Sequence, residues 1–116
     1  MILFDESRWP IVAIVYPPTH DDAEWRAHAD RVERYLDRNV PFALVCDGRR
    51  MQPPTAPQRK HLSHIQKARV ADYRRLLKAS VIRGALTAMT WLNPPPFPWT
   101  VCATMEQGFA WAQARL

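Results

Sequence analysis

Three observations predict a single small α/β domain for this 116-residue chain, with helices packed largely on one face of a mixed or parallel β-sheet. First, short continuous apolar runs recur at Ile11-Val12-Ala13-Ile14-Val15-Tyr16, Phe42-Ala43-Leu44-Val45-Cys46 and Trp99-Thr100-Val101-Cys102. Runs of that length, rich in β-branched and aromatic residues, read as strands buried on both faces. Second, each run precedes a capping oxygen with Glu or Gln three residues on: Asp21 with Glu24, Thr55 with Gln58, and Thr104 with Gln107. Such pairs mark helix starts. Third, strand, cap and helix repeat in that order along the chain, which is the signature of layers around a sheet. A chain this long buries roughly two-thirds of its unfolded surface as one domain, 1–116, without disulfides or metals.

After the strand at Ile11–Tyr16, the first helix is predicted over about Asp22 to Arg38. Trp25, Ala29, Val32 and Leu36 form its inward stripe, and Asn39 is its stop. The second strand follows at Phe42–Cys46. The second helix is predicted from about Ala56 to at least Tyr73, with Leu62, Ile65, Tyr73 and Leu76 inward. Pro57 fits its first turn, where the missing N–H has no intrahelical partner to lose. Residues 77–92 admit both a strand and a helical stripe through Val81, Ile82, Ala85, Leu86, Met89 and Leu92. The reading adopted is a short strand at Ala79–Ile82 and a helix from Arg83 to Leu92. Pro94-Pro95-Pro96-Phe97-Pro98 then makes a stiff extended connection to the strand at Trp99–Cys102. The closing helix, Glu106 to about Arg115, is expected to bury Phe109 and Ala110 or Trp111. The whole amounts to four strands or fewer.

The charge of the chain is segregated. The net charge is +5, but residues 1–47 carry nine acids against five arginines, while residues 48–84 carry ten Lys or Arg against Asp72 alone. A surface built from the second segment suits an anionic partner. Arg49 and Arg50 follow Asp47 and Gly48, just outside the carboxyl end of a strand, where ligands bind in α/β sheets and where guanidiniums clamp carboxylate or phosphate.

Catalytic signatures do not stand out. Three glycines supply no phosphate cradle, there is no Gly-x-Ser-x-Gly elbow, and Cys46 and Cys102 each sit inside an apolar run, as inert core thiols do. His61 and His64 are three apart on the second helix, but no Cys or acid joins them at a ligand-like interval. His20, beside Asp21 and Asp22, reads as a loop residue next to a cap. A non-enzymatic role without cofactor or metal is therefore expected. The opening Met1-Ile2-Leu3-Phe4 runs into Asp5 and Glu6 without a basic start, and no apolar stretch reaches the ~18 residues of a membrane span, so a cytoplasmic location is expected.

Two stretches carry a resemblance: Phe42-Ala43-Leu44-Val45-Cys46-Asp47, a central strand ending in an acid, and Phe97-Pro98-Trp99-Thr100-Val101-Cys102-Ala103-Thr104, which leads into Gly108-Phe109-Ala110-Trp111. In pattern, over most of its length, the chain resembles the bacterial STAS-like superfamily of anti-sigma-factor antagonist (SpoIIAA-like) domains. The resemblance implies a regulatory module whose loop between central strand and next helix meets a protein partner. It also implies a phosphorylatable residue at that helix start, a place occupied here by Thr55, with Pro54 where the family has Asp. The segment before Arg83 looks shorter than in that family, and a truncated strand there would leave a sheet edge for a partner or a second copy to cover.

The expected partner surface is thus Asp47, Arg49, Arg50, Thr55, Arg59 and Lys60, facing an acidic protein, with Thr55 capping the helix whether or not it is phosphorylated. Two other readings stay open. One is a nucleic-acid surface on the basic helix 56–78. The other is a small anionic or lipid-like ligand in a pocket under the Pro-rich turn. Trp91, Phe97 and Trp99, which flank that turn, are either an aromatic patch for a partner or packing for the loop.

Overall fold

A computed structural model describes residues 1–116, the side chain of Leu92 excepted. The chain is an α/β domain with one five-stranded mixed sheet in the order β1 (Leu3–Arg8), β2 (Ile11–Val15), β3 (Phe42–Asp47), β4 (Leu77–Ile82), β5 (Trp99–Cys102). The hairpin β1–β2 is antiparallel, with Leu3 opposite Val15 and Phe4 opposite Ile14. The remaining pairs are parallel.

Helix α1 (Asp22–Asp37) joins β2 to β3, α2 (Ala56–Ala68) and α3 (Val70–Leu76) join β3 to β4, α4 (Ala85–Leu92) joins β4 to β5, and α5 (Met105–Arg115) closes the chain. Three successive parallel crossovers that step the same way across a sheet, each of the same hand, put their helices on one face. Val12, Ile14, Phe42, Leu44, Leu77, Ala79 and Val81 form one core there with Trp25, Val32, Leu36, Tyr73, Leu76 and Leu86. Only α5 covers the other face, packing on Ile11, Ala43, Val45 and Ile82. Its approach is close because Gly108 has no side chain: a Cβ there would fall 2.8 Å from Val45 Cγ1 and 2.9 Å from Ser80 Oγ.

All three caps form. Asp21 accepts from the Glu24 N–H, Thr104 from the Gln107 N–H, and Thr55 makes a full capping box with Gln58. Asn39 follows α1 in the left-handed region at φ 56°. The α1 stripe is buried as predicted, joined by His28 and Tyr35.

Other expectations are corrected. The sheet has five strands rather than four, because Leu3–Arg8 forms an edge strand. The basic helix is not continuous: it breaks at Arg69, with φ −129° and ψ 37°. There the guanidinium turns to Glu33 at 2.8 Å, Asp37 at 2.9 Å and Asp72 at 3.1 Å, a set of partners from two helices that a straight helix would not bring to one point. β4 is a full six-residue strand between β3 and β5, so no truncated strand leaves an edge. In α5 the buried residues are Gly108 and Ala112; Phe109 and Trp111 are half-buried and Ala110 is exposed, since close approach to the sheet selects small side chains. In α4, Leu86 is buried and Ala85 and Met89 half-buried; Leu92, expected on the same stripe, lies outside the described side chains.

Candidate functional site

The residues grouped from sequence fall into two separate sets. At the end of β3, Asp47 and Arg49 pair with each other: Arg49 donates from Nε to Oδ1 at 2.9 Å and from Nη2 to Oδ2 at 2.8 Å. These bonds hold the Asp47 carboxyl below its usual pKa. The guanidinium expected to clamp an external anion is therefore committed to a neighbour two residues away. Arg50 is exposed beside it.

At the start of α2, exposed Thr55 caps the helix and Arg59 donates to the Pro54 carbonyl at 2.6 Å. Gln58, nearly buried, is the knot of this corner. Its amide oxygen accepts from the Thr55 N–H at 3.0 Å and sits 3.1 Å from His20 Nε2, its amide nitrogen donates to Asp22 at 2.9 Å, and its backbone carbonyl accepts from the Trp25 indole at 3.1 Å. The beginning of α2 is thus tied to α1. Lys60 is exposed on the outer side, as is His64, while His61 is half-buried.

Of the ten cations between Gly48 and Gly84, three pair with carboxylates: Arg49, Arg69 and Arg75. Among the described residues the other seven, Arg50, Arg59, Lys60, Lys67, Arg74, Lys78 and Arg83, have no carboxylate within 4.0 Å. The basic segment keeps most of its charge uncompensated by the fold.

Between α2 and the sheet lies a cavity of about 520 Å³. Helix α2 rests on α1 and α3 more than on the strands, because its inward face offers only Leu62 and Ile65 as large apolar groups. The floor is Leu44, Leu77, Ala79 and Val81, the roof Leu62, Ser63 and Gln66, and one wall is Leu86, Met89 and Thr90 of α4 with Pro94 to Phe97. Phe97 stacks on Tyr73 with ring centroids 6.0 Å apart, and Trp99 lines the same wall, while Trp91 points away from it. The exposed lining residues Arg59, Lys67 and Arg74, with Asn93 and Pro94, mark its opening. An apolar interior under a cationic rim is the result.

A small polar group is set into that interior. Tyr16 at the end of β2, His28 on α1 and Cys46 on β3 all line the cavity, with the Tyr16 hydroxyl 2.7 Å from His28 Nε2. Burial pushes the Cys46 thiol up to about 12, raises the Tyr16 hydroxyl well above its ordinary value, and pushes His28 down to about 4. At neutral pH all three are uncharged. None is an activated nucleophile, which would need a thiolate or an adjacent base of suitable pKa. Cys102 is half-buried rather than in the core, with its pKa also raised by burial. No group of three His, Cys, Asp or Glu positioned for a metal occurs among the described residues, and none of the described helices is long and apolar enough to cross a membrane.

No family model matches the chain, and no curated protein or solved structure matches it either.

Proposed function

We propose that the domain is a non-enzymatic carrier or sensor of a small amphiphile, an alkyl chain with an anionic head, held in the cavity beneath α2. One observation carries this reading: a cavity of about 520 Å³ whose floor and walls are mainly apolar opens at a rim bearing Arg59, Lys67 and Arg74. Pockets for small molecules have volumes of about 300–1,000 Å³ and combine apolar walls with a few polar groups that fix orientation. Here the alkyl chain lies against Leu44, Ala79, Val81 and Met89, and the head meets the unpaired cations. Those cations need not abandon a carboxylate to do so, whereas Arg49 would have to give up Asp47.

Titration with dodecanoate and dodecyl phosphate, followed by calorimetry, tests the reading, with dodecyltrimethylammonium as the opposite-charge control. Both anions are expected to bind and the cation not. Ala79→Phe places a ring in the cavity from the centre of its floor and is expected to weaken binding by more than about tenfold, or 1.4 kcal/mol. Ala79 is buried on a central strand, so the added ring is expected to lower stability by about 1–3 kcal/mol, and affinity is compared at a temperature where circular dichroism shows the variant folded. Undiminished affinity in a folded Ala79→Phe protein removes the cavity as the site.

A second reading is favoured by the exposed Arg50, Thr55 and Lys60. In it, a regulatory module of the STAS-like kind meets an acidic protein partner through this corner, and phosphate on Thr55 is favoured by the α2 N-terminus. Arg50→Glu with Lys60→Glu should abolish retention of such a partner without altering dodecanoate affinity. Retention lost on nuclease treatment assigns the surface to nucleic acid instead, and retention unchanged by the double reversal removes it.

A further inference from the structure

Helix α4 has two unlike sides. Inward, Leu86, Met89 and Thr90 form a wall of the cavity. Outward, Trp91 is 68% exposed, beside exposed Ala88, Asn93 and Pro94. No residue from Ala85 to Leu92 carries a charge, although the segment before it, 48–84, is strongly basic. Cations stand at both ends. Exposed Arg83 stands just before the Gly84 cap of the helix, and the loop carrying Arg49 and Arg50 abuts its start, the Arg49 Cα lying 3.1 Å from where a Cβ on Gly84 would sit. At the other end Arg74 shares the cavity opening with Asn93 and Pro94. Among the described residues, Arg50, Arg74 and Arg83 have no carboxylate partner.

The geometry points to α4 as the face by which this domain docks on an anionic lipid bilayer, with Trp91 seated at the headgroup level and Arg50, Arg74 and Arg83 on the lipid phosphates and carboxylates. Tryptophan favours that depth because its ring is apolar and its N–H is polar, and cations ringing an apolar tip are drawn to anionic headgroups. A protruding single ring on a short uncharged helix does not make the roughly 800 Å² of flat surface per partner that a stable protein interface needs, whereas it suffices as one anchor of an electrostatically held peripheral domain. The inference rests on the amphiphile reading in one respect. A bilayer is both source and sink for such a ligand, and the helix that touches it would be the wall of the cavity that receives it.

Co-sedimentation with phosphatidylcholine vesicles, with and without phosphatidylserine, tests the docking, and dodecanoate titration in vesicle-free solution runs beside it. Wild-type protein is expected on the phosphatidylserine vesicles only, and Trp91→Ser and Arg83→Glu are each expected to lower the partition coefficient by about tenfold or more. Neither side chain lines the cavity, so both variants should keep their melting temperature and dodecanoate affinity. Wild-type protein that stays in the supernatant, or variants that sediment like wild type, overturn the docking and leave Trp91 for a protein partner. Vesicle binding by a wild-type protein that takes up no dodecanoate supports the docking and overturns the cavity reading instead.

Discussion

Replacing Trp25 with alanine is expected to cost about 3–5 kcal/mol of folding stability, a large part of the roughly 5–15 kcal/mol that holds a domain of this kind together. The ring is 1% exposed and packs against His28, His20 and Tyr16 at centroid distances of 5.0, 5.1 and 6.4 Å. Its indole N–H also reaches the Gln58 carbonyl. That bond matters beyond its own energy because α2 has little grip on the sheet: its N-terminal end is held through Gln58, Asp22 and Trp25. Trp25→Phe separates the two contributions by keeping most of the apolar bulk and removing the donor, and it should cost about 1 kcal/mol. Urea denaturation of the two variants distinguishes them through the midpoint at unchanged slope. In Trp25→Phe, the release of α2 should also weaken dodecanoate binding, because the roof of the cavity is the helix being released. A loss below about 1 kcal/mol in Trp25→Ala would mean that the α1–α2 corner is not what holds α2.

Most of the architecture is legible in the chain because burial on both faces leaves unbroken apolar runs, and because capping is local chemistry. Thr55 and Gln58 satisfy each other across three residues whatever the rest of the fold does. The edge strand β1 is not legible, since Leu3-Phe4-Asp5-Glu6-Ser7-Arg8 has neither an apolar run nor a turn signal typical of a hairpin. Its pairing to β2 leaves Leu3 and Asp5 exposed on one face and turns Phe4 to the core. Glu6, an unpromising strand residue, accepts from the Tyr35 hydroxyl at 2.8 Å and pairs with Arg31, both on α1. The break at Arg69 is hidden for the same reason: two of its partners, Glu33 and Asp37, lie more than thirty residues back. Sequence periodicity reports which side of a helix turns inward. It does not report an ion-pair cluster that joins two helices through the residue between α2 and α3.

The candidate site was legible in part. The cationic segment follows from charge counting, whereas a pocket beneath the Pro-rich turn is only one of the readings the chain leaves open; a cavity with Pro94 to Phe97 in its wall lies there. Its extent under α2 does not follow, because a stripe of Leu62 and Ile65 shows direction and not standoff. A signal was present nonetheless: two large apolar residues in a thirteen-residue helix, interleaved with Ser63 and Gln66, are too few to fill the space above two central strands. The Asp47–Arg49 pair was legible too, from an acid and an arginine two apart at a strand end. Arg50, the next residue, offers the same guanidinium, and residue type alone does not say which of the two turns back to Asp47. His28 carries no sequence signal, since it lies beside the predicted stripe of α1 and becomes buried because the stripe is wider than four residues.

His28 sets the second large effect, an acid sensitivity above the carboxylate range. Its ring is surrounded by Trp25, Tyr16 and Phe4 at centroid distances of 5.0, 5.2 and 5.9 Å, with the Tyr16 hydroxyl as hydrogen-bond partner, and burial pushes its pKa down to about 4 from the ordinary 6.5. Between those two values the unfolded chain binds the proton and the folded chain resists it. Stability is therefore full above about 6.5 and is lost as the pH falls toward 4, by about 1.4 kcal/mol per unit and about 3 kcal/mol in all. Below 4 this slope ends, and the carboxylates take over: Asp47 and Glu6, held below their usual pKa by Arg49 and by Arg31 with Tyr35, lose their contribution as they protonate. Stability measured by urea denaturation from pH 7 to pH 4 should fall by that amount in the wild type. His28→Gln, which keeps a hydrogen-bonding partner for Tyr16 and cannot be charged, should lose the fall between about 6.5 and 4 and keep only the loss that Glu6 and Asp47 give at lower pH. An unchanged upper slope in His28→Gln would assign it to other groups. Because His28 also lines the cavity, an alkyl chain lying against it would make protonation harder still, so dodecanoate-loaded protein is expected to hold its stability to lower pH than the free domain.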